Sequence, residues 1–264
     1  MKEKDFFEGL IDTHTHLEEV DDMSGAIERA EEAGIAHIIA VGSNHESNKR
    51  ILEISGKYGK TQIHAAFGLH PWGLDASEVD STLCFIEENM KKAIAVGEVG
   101  LDFWSKEARK DSKRRDLQKE VFKRLLHLSK QYNKPVLIHA RGAWEECFYL
   151  TRDAKISKAV FHWYSGPLEV LESILNSGYL ISATPAAEYS EKHQRAIMKT
   201  PLERILIETD APVEYQGKRS EPADLLRSLD AVSKLKGVQR ETVADITTRN
   251  GLNFFDLCGY ARLR

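Results

Sequence analysis

Gly9-Leu10-Ile11-Asp12-Thr13-His14-Thr15-His16-Leu17 is a short apolar run that ends on two histidines one residue apart. In an extended strand the side chains alternate between faces with period two, so both imidazoles lie on one side. Two neutral imidazoles on one face suit a divalent cation. Working outward, similar apolar runs recur along the chain. The expected strands are Leu10–Thr15, Ala36–Val41, Gln62–Gly68, Ala93–Gly97, Pro135–Ala140, Ala159–Trp163, Tyr179–Ala183 and Arg204–Glu208. Most are near-continuous β-branched and aliphatic runs, the pattern of strands buried on both faces. Between them lie amphipathic stretches, with helices expected at Asp22–Ala33, Ser47–Tyr58, Glu78–Lys91, Asp116–Tyr132, Pro167–Asn176, Pro222–Leu235 and Glu241–Phe255. Gly34 and Gly59 are placed to stop the first two. Strand–helix alternation implies parallel strands joined by crossover helices. Eight such units in 264 residues favour a closed (β/α)8 TIM barrel, of α/β class, over an open doubly wound sheet. The absence of Gly-x-Gly-x-x-Gly and of a Walker A loop removes support from the nucleotide-binding open sheets.

A single domain over residues 1–264 is expected from this length, with 42% hydrophobic and 30% charged residues. The formal net charge of −4 argues against bulk electrostatic binding of nucleic acid, so a polyanionic substrate must be held by local cations or by metal. The three cysteines, Cys84, Cys147 and Cys258, have no paired spacing, which suits a reducing compartment and buried, inert thiols. Residues Met1–Glu8 lack an apolar targeting core, and no run approaches a membrane span. A cytoplasmic protein with no membrane partner is expected.

The polar residues fall in one pattern. His14 and His16 end the first strand, Glu98 follows the fourth, His139 and His162 end the fifth and sixth, and Asp210 follows the eighth. In a barrel the carboxyl ends of the strands converge on one mouth. A lone histidine there is ordinarily a structural hydrogen-bonding residue, and a lone aspartate in Glu-Thr-Asp-Ala-Pro a turn former. Six such donors at the same end of their strands point instead to metal. Nitrogen and oxygen donors without thiolate suit Zn²⁺, Mn²⁺ or Mg²⁺. Six exceed what one catalytic zinc needs and are enough for two divalent ions sharing a carboxylate, an arrangement that serves phosphoryl displacement by metal-activated water.

The chain resembles the TatD family of metal-dependent deoxyribonucleases, within the amidohydrolase-like barrel superfamily. The resemblance rests on Ile11-Asp12-Thr13-His14-Thr15-His16, Gly68-Leu69-His70-Pro71, Gly97-Glu98-Val99-Gly100-Leu101-Asp102 and Pro135-Val136-Leu137-Ile138-His139-Ala140-Arg141. It continues in Glu208-Thr209-Asp210-Ala211-Pro212 and Gly217-Lys218-Arg219-Ser220-Glu221-Pro222. It implies that His14, His16 and Asp210 bind one ion, that His139 and His162 bind the other, and that Glu98 bridges them. The glutamate at the bridging place favours the nuclease branch over relatives that use a carbamylated lysine. Two places depart from the family pattern: His162-Trp163-Tyr164-Ser165-Gly166 stands for the usual His-Cys-Phe-Ser-Gly, and Ala183–Glu188 differs from the usual loop.

Around these ligands, His70 is assigned to a phosphate or leaving oxygen, with general-acid work open to it and loop anchoring as the alternative. Arg141, Lys218 and Arg219 suit phosphate oxygens. The stretch Leu101–Arg115 carries Phe103, Trp104, Lys106, Arg109, Lys110, Lys113, Arg114 and Arg115, a set able to stack on an unpaired base and meet a backbone, or simply a solvated charge run. Glu208 is expected either to orient a histidine ligand or to form a buried ion pair. The resulting expectation is a hydrolase that cleaves phosphodiester bonds in DNA, from single-stranded or frayed ends. Catalysis would run through Asp210, Glu98 and His70. The rival readings are a D-aminoacyl-tRNA deacylase or other ester or amide hydrolase at the same metals, and a non-catalytic metal-binding scaffold. The oligomeric state is left open, a monomer being compatible with it.

Overall fold

A computed structural model of the chain describes residues 9–257. The expectations for Met1–Glu8 and for Cys258 lie outside the described residues. In chain order the elements begin with β1 (Leu10–Thr15), α1 (Met23–Glu32), β2 (Ile35–Val41), α2 (His45–Ile54), β3 (Gly56–Tyr58), β4 (Thr61–Phe67), α3 (Ala76–Asn89), β5 (Ala95–Asp102), α4 (Ser112–Tyr132) and β6 (Val136–Arg141). They continue with α5 (Trp144–Asp153), β7 (Ala159–Phe161), α6 (Leu168–Asn176), β8 (Leu180–Ala183), α7 (Glu191–Lys199), β9 (Ile205–Ile207), β10 (Glu214–Tyr215), β11 (Lys218–Arg219), α8 (Leu225–Lys236) and α9 (Arg240–Phe254). The chain falls into two compact units. Among the described residues one comprises 9–40, Ile54–His64 and 183–257, the other Val41–Glu53 and Ala65–Ser182.

In the second unit the end of β4, then β5, β6, β7 and β8 lie side by side in chain order, all parallel. Every residue of β5 is buried, as are Val136, Leu137 and Ile138 of β6 and all of β7. That burial on both faces explains their apolar sequences, which in β5 only Glu98 and Asp102 interrupt. A Cβ on Gly100 would sit 1.9 Å from the His139 carbonyl oxygen, so glycine is what lets β5 and β6 approach here. Helix α4 covers these strands. The Asp111 carboxylate accepts from the Lys113 and Arg114 amides and starts it, and Asn133 ends it in the left-handed conformation (φ 51°). Gln118, Val121, Phe122, Leu125, Leu126 and Ser129 are buried along one stripe.

In the first unit β1 pairs in parallel with β2, with α1 between them. The segment after β9 returns beside the end of β1: the Asp210 amide donates to the His14 carbonyl (2.9 Å) and the His16 amide to the Ala211 carbonyl (2.8 Å). This places the ligand-bearing end of β1 against the ligand-bearing turn.

The expected strands are all present. β5 runs on to Asp102, so Glu98 lies within the strand, and β7 stops before His162. Helix α4 starts earlier than expected, at its Asp111 cap. Residues 56–58, expected in a helix, form a strand antiparallel to the start of β4, because the chain breaks at Ser55-Gly56 and reverses at Gly59 (φ 57°). Residues 211–221, expected irregular, contain the β10–β11 hairpin, turning at Gln216 (φ 54°) and Gly217 (φ 82°). Helices α5 and α7 form where the sequence reading places none: each buries only three residues, and in α5 Trp144, Tyr149 and Leu150 outside that stripe blur its period. Cys147 is buried as expected, but Cys84 is exposed on α3, which corrects the expectation of buried thiols.

Candidate metal centre

In the first unit His14, His16 and Asp210 come together. His14 Nε2 lies 3.6 Å and His16 Nε2 3.7 Å from the same Asp210 oxygen. His14 is 0% and Asp210 5% exposed. Donor arms of about 2.0–2.2 Å put neighbouring ligands on a tetrahedral ion roughly 3.4 Å apart, so the spacing fits one cation held by two imidazoles and a carboxylate. His16 stands just past the strand end, yet its imidazole still reaches Asp210, as the alternation predicts. Asp210 itself takes a left-handed backbone (φ 51°). Asp12, not singled out from the sequence, fixes this corner. Its buried carboxyl accepts from the Thr15 and Thr209 hydroxyls (2.6 Å each) and the Thr209 amide (3.0 Å). Burial pushes Asp12 up to about 7, against the lowering effect of those donors.

In the second unit Glu98 is the focus. His139 Nδ1 and His162 Nε2 each lie 2.8 Å from Glu98 Oε1, and His70 Nε2 lies 3.4 Å from it. Both His70 Nε2 and His162 Nε2 are 3.3 Å from His139 Nδ1. Glu98 is 2% exposed. The 3.3–3.4 Å separations match neighbouring ligands on one ion and the two of 2.8 Å are at hydrogen-bond distance, while an anionic oxygen among imidazole nitrogens is a donor set that suits a divalent ion. The ring nitrogens divide the roles. Asp102 Oδ2 lies 3.3 Å from His139 Nε2 and Glu98 Oε1 2.8 Å from its Nδ1, so the imidazole spans two carboxylates; with an ion bound, Nε2 would keep its proton toward Asp102 and Nδ1 would give its lone pair to the ion. His70 Nδ1 accepts from the Trp72 amide (3.1 Å), so His70 carries its proton on Nε2 and faces Glu98 as a donor. Burial lowers His139, but hydrogen bonds to Asp102 and Glu98 outweigh it and the net shift is upward. Burial likewise works to raise Asp102, yet hydrogen bonds from His139 and Trp72 and the positive charge nearby hold it at about 2.

Asp102 is the residue that sequence reasoning missed. It ends β5 and is 0% exposed. Its Oδ2 accepts from the Trp72 indole (2.6 Å) and faces Arg141 Nε (3.1 Å). The Arg141 guanidinium lies 5.6 Å from the Trp72 ring centre, and both side chains are about half exposed. Arg141 thus shares the His139 end of β6, as expected. Trp104 packs edge-on against Trp144 at 5.1 Å. Phe103 is flanked by Arg115 and Lys119 at 5.2 and 5.5 Å, while the Arg114 and Arg115 guanidinium groups donate to backbone carbonyls. Lys106, Arg109, Lys110 and Lys113 are exposed.

In the first unit Lys218 and Arg219 stand on the β10–β11 hairpin, with Lys218 3.6 Å from Asp224 and Arg219 2.8 Å from Asp21. Glu208 is buried. The departures at Trp163 and Tyr164 prove unlike one another: Tyr164 is a buried structural residue whose hydroxyl donates to the Pro167 carbonyl (2.7 Å), and Trp163 is half-buried at φ 41°.

The family model for TatD related DNase matches residues 11–256. The chain belongs to the TatD family. It is 32% identical to the metal-dependent hydrolase YabD of Bacillus subtilis, over 93% of this chain and 98% of that protein. It is 29% identical to human deoxyribonuclease TATDN3, over 94% of each. The crystal structure of the TatD homologue YjjV of Escherichia coli superposes with a TM-score of 0.83 at 26% identity, covering 94% of this chain and 98% of that one. The TatD family fold, a (β/α)8 barrel of α/β class, is therefore the fold of this chain, and the chain is a metal-dependent hydrolase. No helix among the described residues is long and apolar enough to cross a membrane.

Proposed function

We propose that this TatD-family hydrolase is a deoxyribonuclease that works as one domain and cleaves phosphodiester bonds from single-stranded or frayed ends. The observation that carries the reading is the donor set: a His14–His16–Asp210 cluster, and a second cluster in which two histidines meet Glu98 Oε1 at 2.8 Å. The names of the matching family and of human TATDN3 support DNA as the substrate. In this reading His14, His16 and Asp210 would hold one divalent ion, and His139 and His162 with Glu98 the other. Zinc, magnesium or manganese ions so held supply an acidified water and positive charge for the phosphate.

The remaining work belongs to side chains. Asp210 steers the proton that leaves the attacking water. His70, with its proton on Nε2, donates to the leaving oxygen. Arg141 rests its Nε on Asp102 and leaves its terminal nitrogens for a non-bridging oxygen. Lys218 and Arg219 exchange their carboxylate partners for the strand's next phosphates. Trp72 and Trp104 offer aromatic surface to an unpaired base.

The test is incubation of purified protein with defined single-stranded and duplex DNA, RNA and D-aminoacyl-tRNA, each with chelator and with metal restored. Nucleotide release from single-stranded DNA that chelator abolishes and metal restores is the predicted result. Deacylation without nucleotide release would replace the reading with the acyl-hydrolase one. No turnover of any substrate would leave a metal-binding scaffold.

A further inference from the structure

We propose that Asp102 is a positioning residue: one buried carboxylate that fixes the metal-facing nitrogen of His139 and, through the same oxygen, the substrate-facing planes of Trp72 and Arg141. The inference rests on the metal-centre reading above and extends it to a residue that binds neither ion nor substrate.

A fully buried carboxylate is costly to desolvate unless donors surround it. Here every side-chain donor comes from the site. Oδ2 receives the Trp72 indole N–H at 2.6 Å and faces His139 Nε2 at 3.3 Å, and the Arg141 guanidinium forms an ion pair with it, Nε lying 3.1 Å away. Oδ1 receives the Trp104 amide at 2.9 Å, which starts the loop carrying that tryptophan.

The backbone of Asp102 is held separately. Its amide donates to Gln118 Oε1 (3.0 Å), and its carbonyl accepts from Gln118 Nε2 (3.3 Å) and the Ser105 hydroxyl (3.1 Å). The strand end is therefore secured without the carboxylate, and the side chain is free to act on the site.

The consequences follow from donor and acceptor roles. With its Nε2–H directed at Asp102, an ion-bound His139 would be confined to the tautomer that gives its Nδ1 lone pair to the ion beside Glu98. The indole bond fixes the plane of Trp72, which is 52% exposed and lies beneath the Arg141 guanidinium at 5.6 Å. A half-exposed indole held in one plane is a preorganised stacking surface for an unpaired nucleobase, and an arginine whose Nε is fixed aims its fork at one place. Asp102 thereby ties ion affinity to substrate affinity.

The test compares wild type, Asp102→Asn and Trp72→Phe. Chelator competition with zinc should show D102N weakened about 10–100-fold at one ion only, while W72F binds zinc as wild type does. The absorption spectrum of cobalt-substituted protein should change in D102N and not in W72F. With a single-stranded oligonucleotide, D102N should raise KM and lower kcat, and W72F should raise KM alone. Unchanged zinc affinity and cobalt spectrum in folded D102N would overturn the proposal. Should D102N fail to fold, nitrogen-15 NMR of the zinc-loaded wild type decides it, with His139 protonated on Nε2 expected and protonation on Nδ1 refuting. The zinc, cobalt and NMR readouts stand even when the wild type cleaves no DNA, so failure of the nuclease reading is distinguishable from failure of this one.

Discussion

His139 presents its two nitrogens to two different carboxylates, Glu98 and Asp102, and that division states the chemistry of the site in one side chain. Glu98 carries more of the account than any other residue, since it draws together His70, His139 and His162. Glu98→Gln keeps the shape and removes the charge, so it should lower kcat/KM by more than about 100-fold, checked by steady-state assay together with metal content. A second prediction concerns a pair away from the metals. His37 Nδ1 and His64 Nε2 are 2.9 Å apart, and burial, with the neighbouring His37, pushes His64 down from 6.5 to about 3. The unfolded chain therefore takes up a proton near pH 6.5 that the folded chain refuses until about pH 3. Stability from this group is intact above the upper value and is lost as pH falls through the window, at up to about 1.4 kcal/mol per pH unit. Denaturant titrations from pH 7 to pH 4 should show a shallower loss in His64→Gln than in wild type.

At the scale of elements, the site is built where β5 and β6 touch. The close approach at Gly100 brings the strand carrying Glu98 and Asp102 against the one carrying His139 and Arg141. Gly100→Ala should destabilise by about 3 kcal/mol or more, because its Cβ meets backbone that cannot move aside, as measured by denaturant midpoint. Replacing the Asp111 cap of α4 by alanine should cost only about 1 kcal/mol and leave activity alone. The elements were legible wherever the sequence was extreme: the apolar runs at the starts of β5 and β6 and through β7 announced parallel strands. Helices α5 and α7 were not, because each buries only three residues, too narrow a stripe to show a helical period. The β10–β11 hairpin rests on the positive φ values of Gln216 and Gly217, a short-range signal that the surrounding polar residues obscured. The six proposed donors could be picked out because most stand at or near the carboxyl ends of their strands, Glu98 being the exception inside β5. Asp102 was not: its partners Trp72, His139 and Arg141 come from three segments, and only packing shows that they share one oxygen. The role of Asp12 was hidden likewise, since Thr209 is 197 residues away.

Over the whole molecule, the ligands are scattered from residue 14 to residue 210, so ion binding should be coupled to the stability of the entire chain. An ion present at about a hundred times its Kd stabilises by about 2.7 kcal/mol, which for a chain of this length moves Tm by about 5–10 °C. Scanning calorimetry with and without chelator should show that drop, reversed by zinc or manganese. The family fold supplies the reason for such scatter: a barrel gathers residues from many strand ends at one mouth, so chemistry can be distributed over the sequence and still be local in space. The central claim is that His14, His16 and Asp210 hold one ion and Glu98, His139 and His162 another, and the most direct measurement is an anomalous-scattering map from crystals of the purified, metal-loaded protein. Two peaks are predicted, one against His14, His16 and Asp210 and one against Glu98, His139 and His162. A single peak that does not touch Glu98, or none, would contradict it.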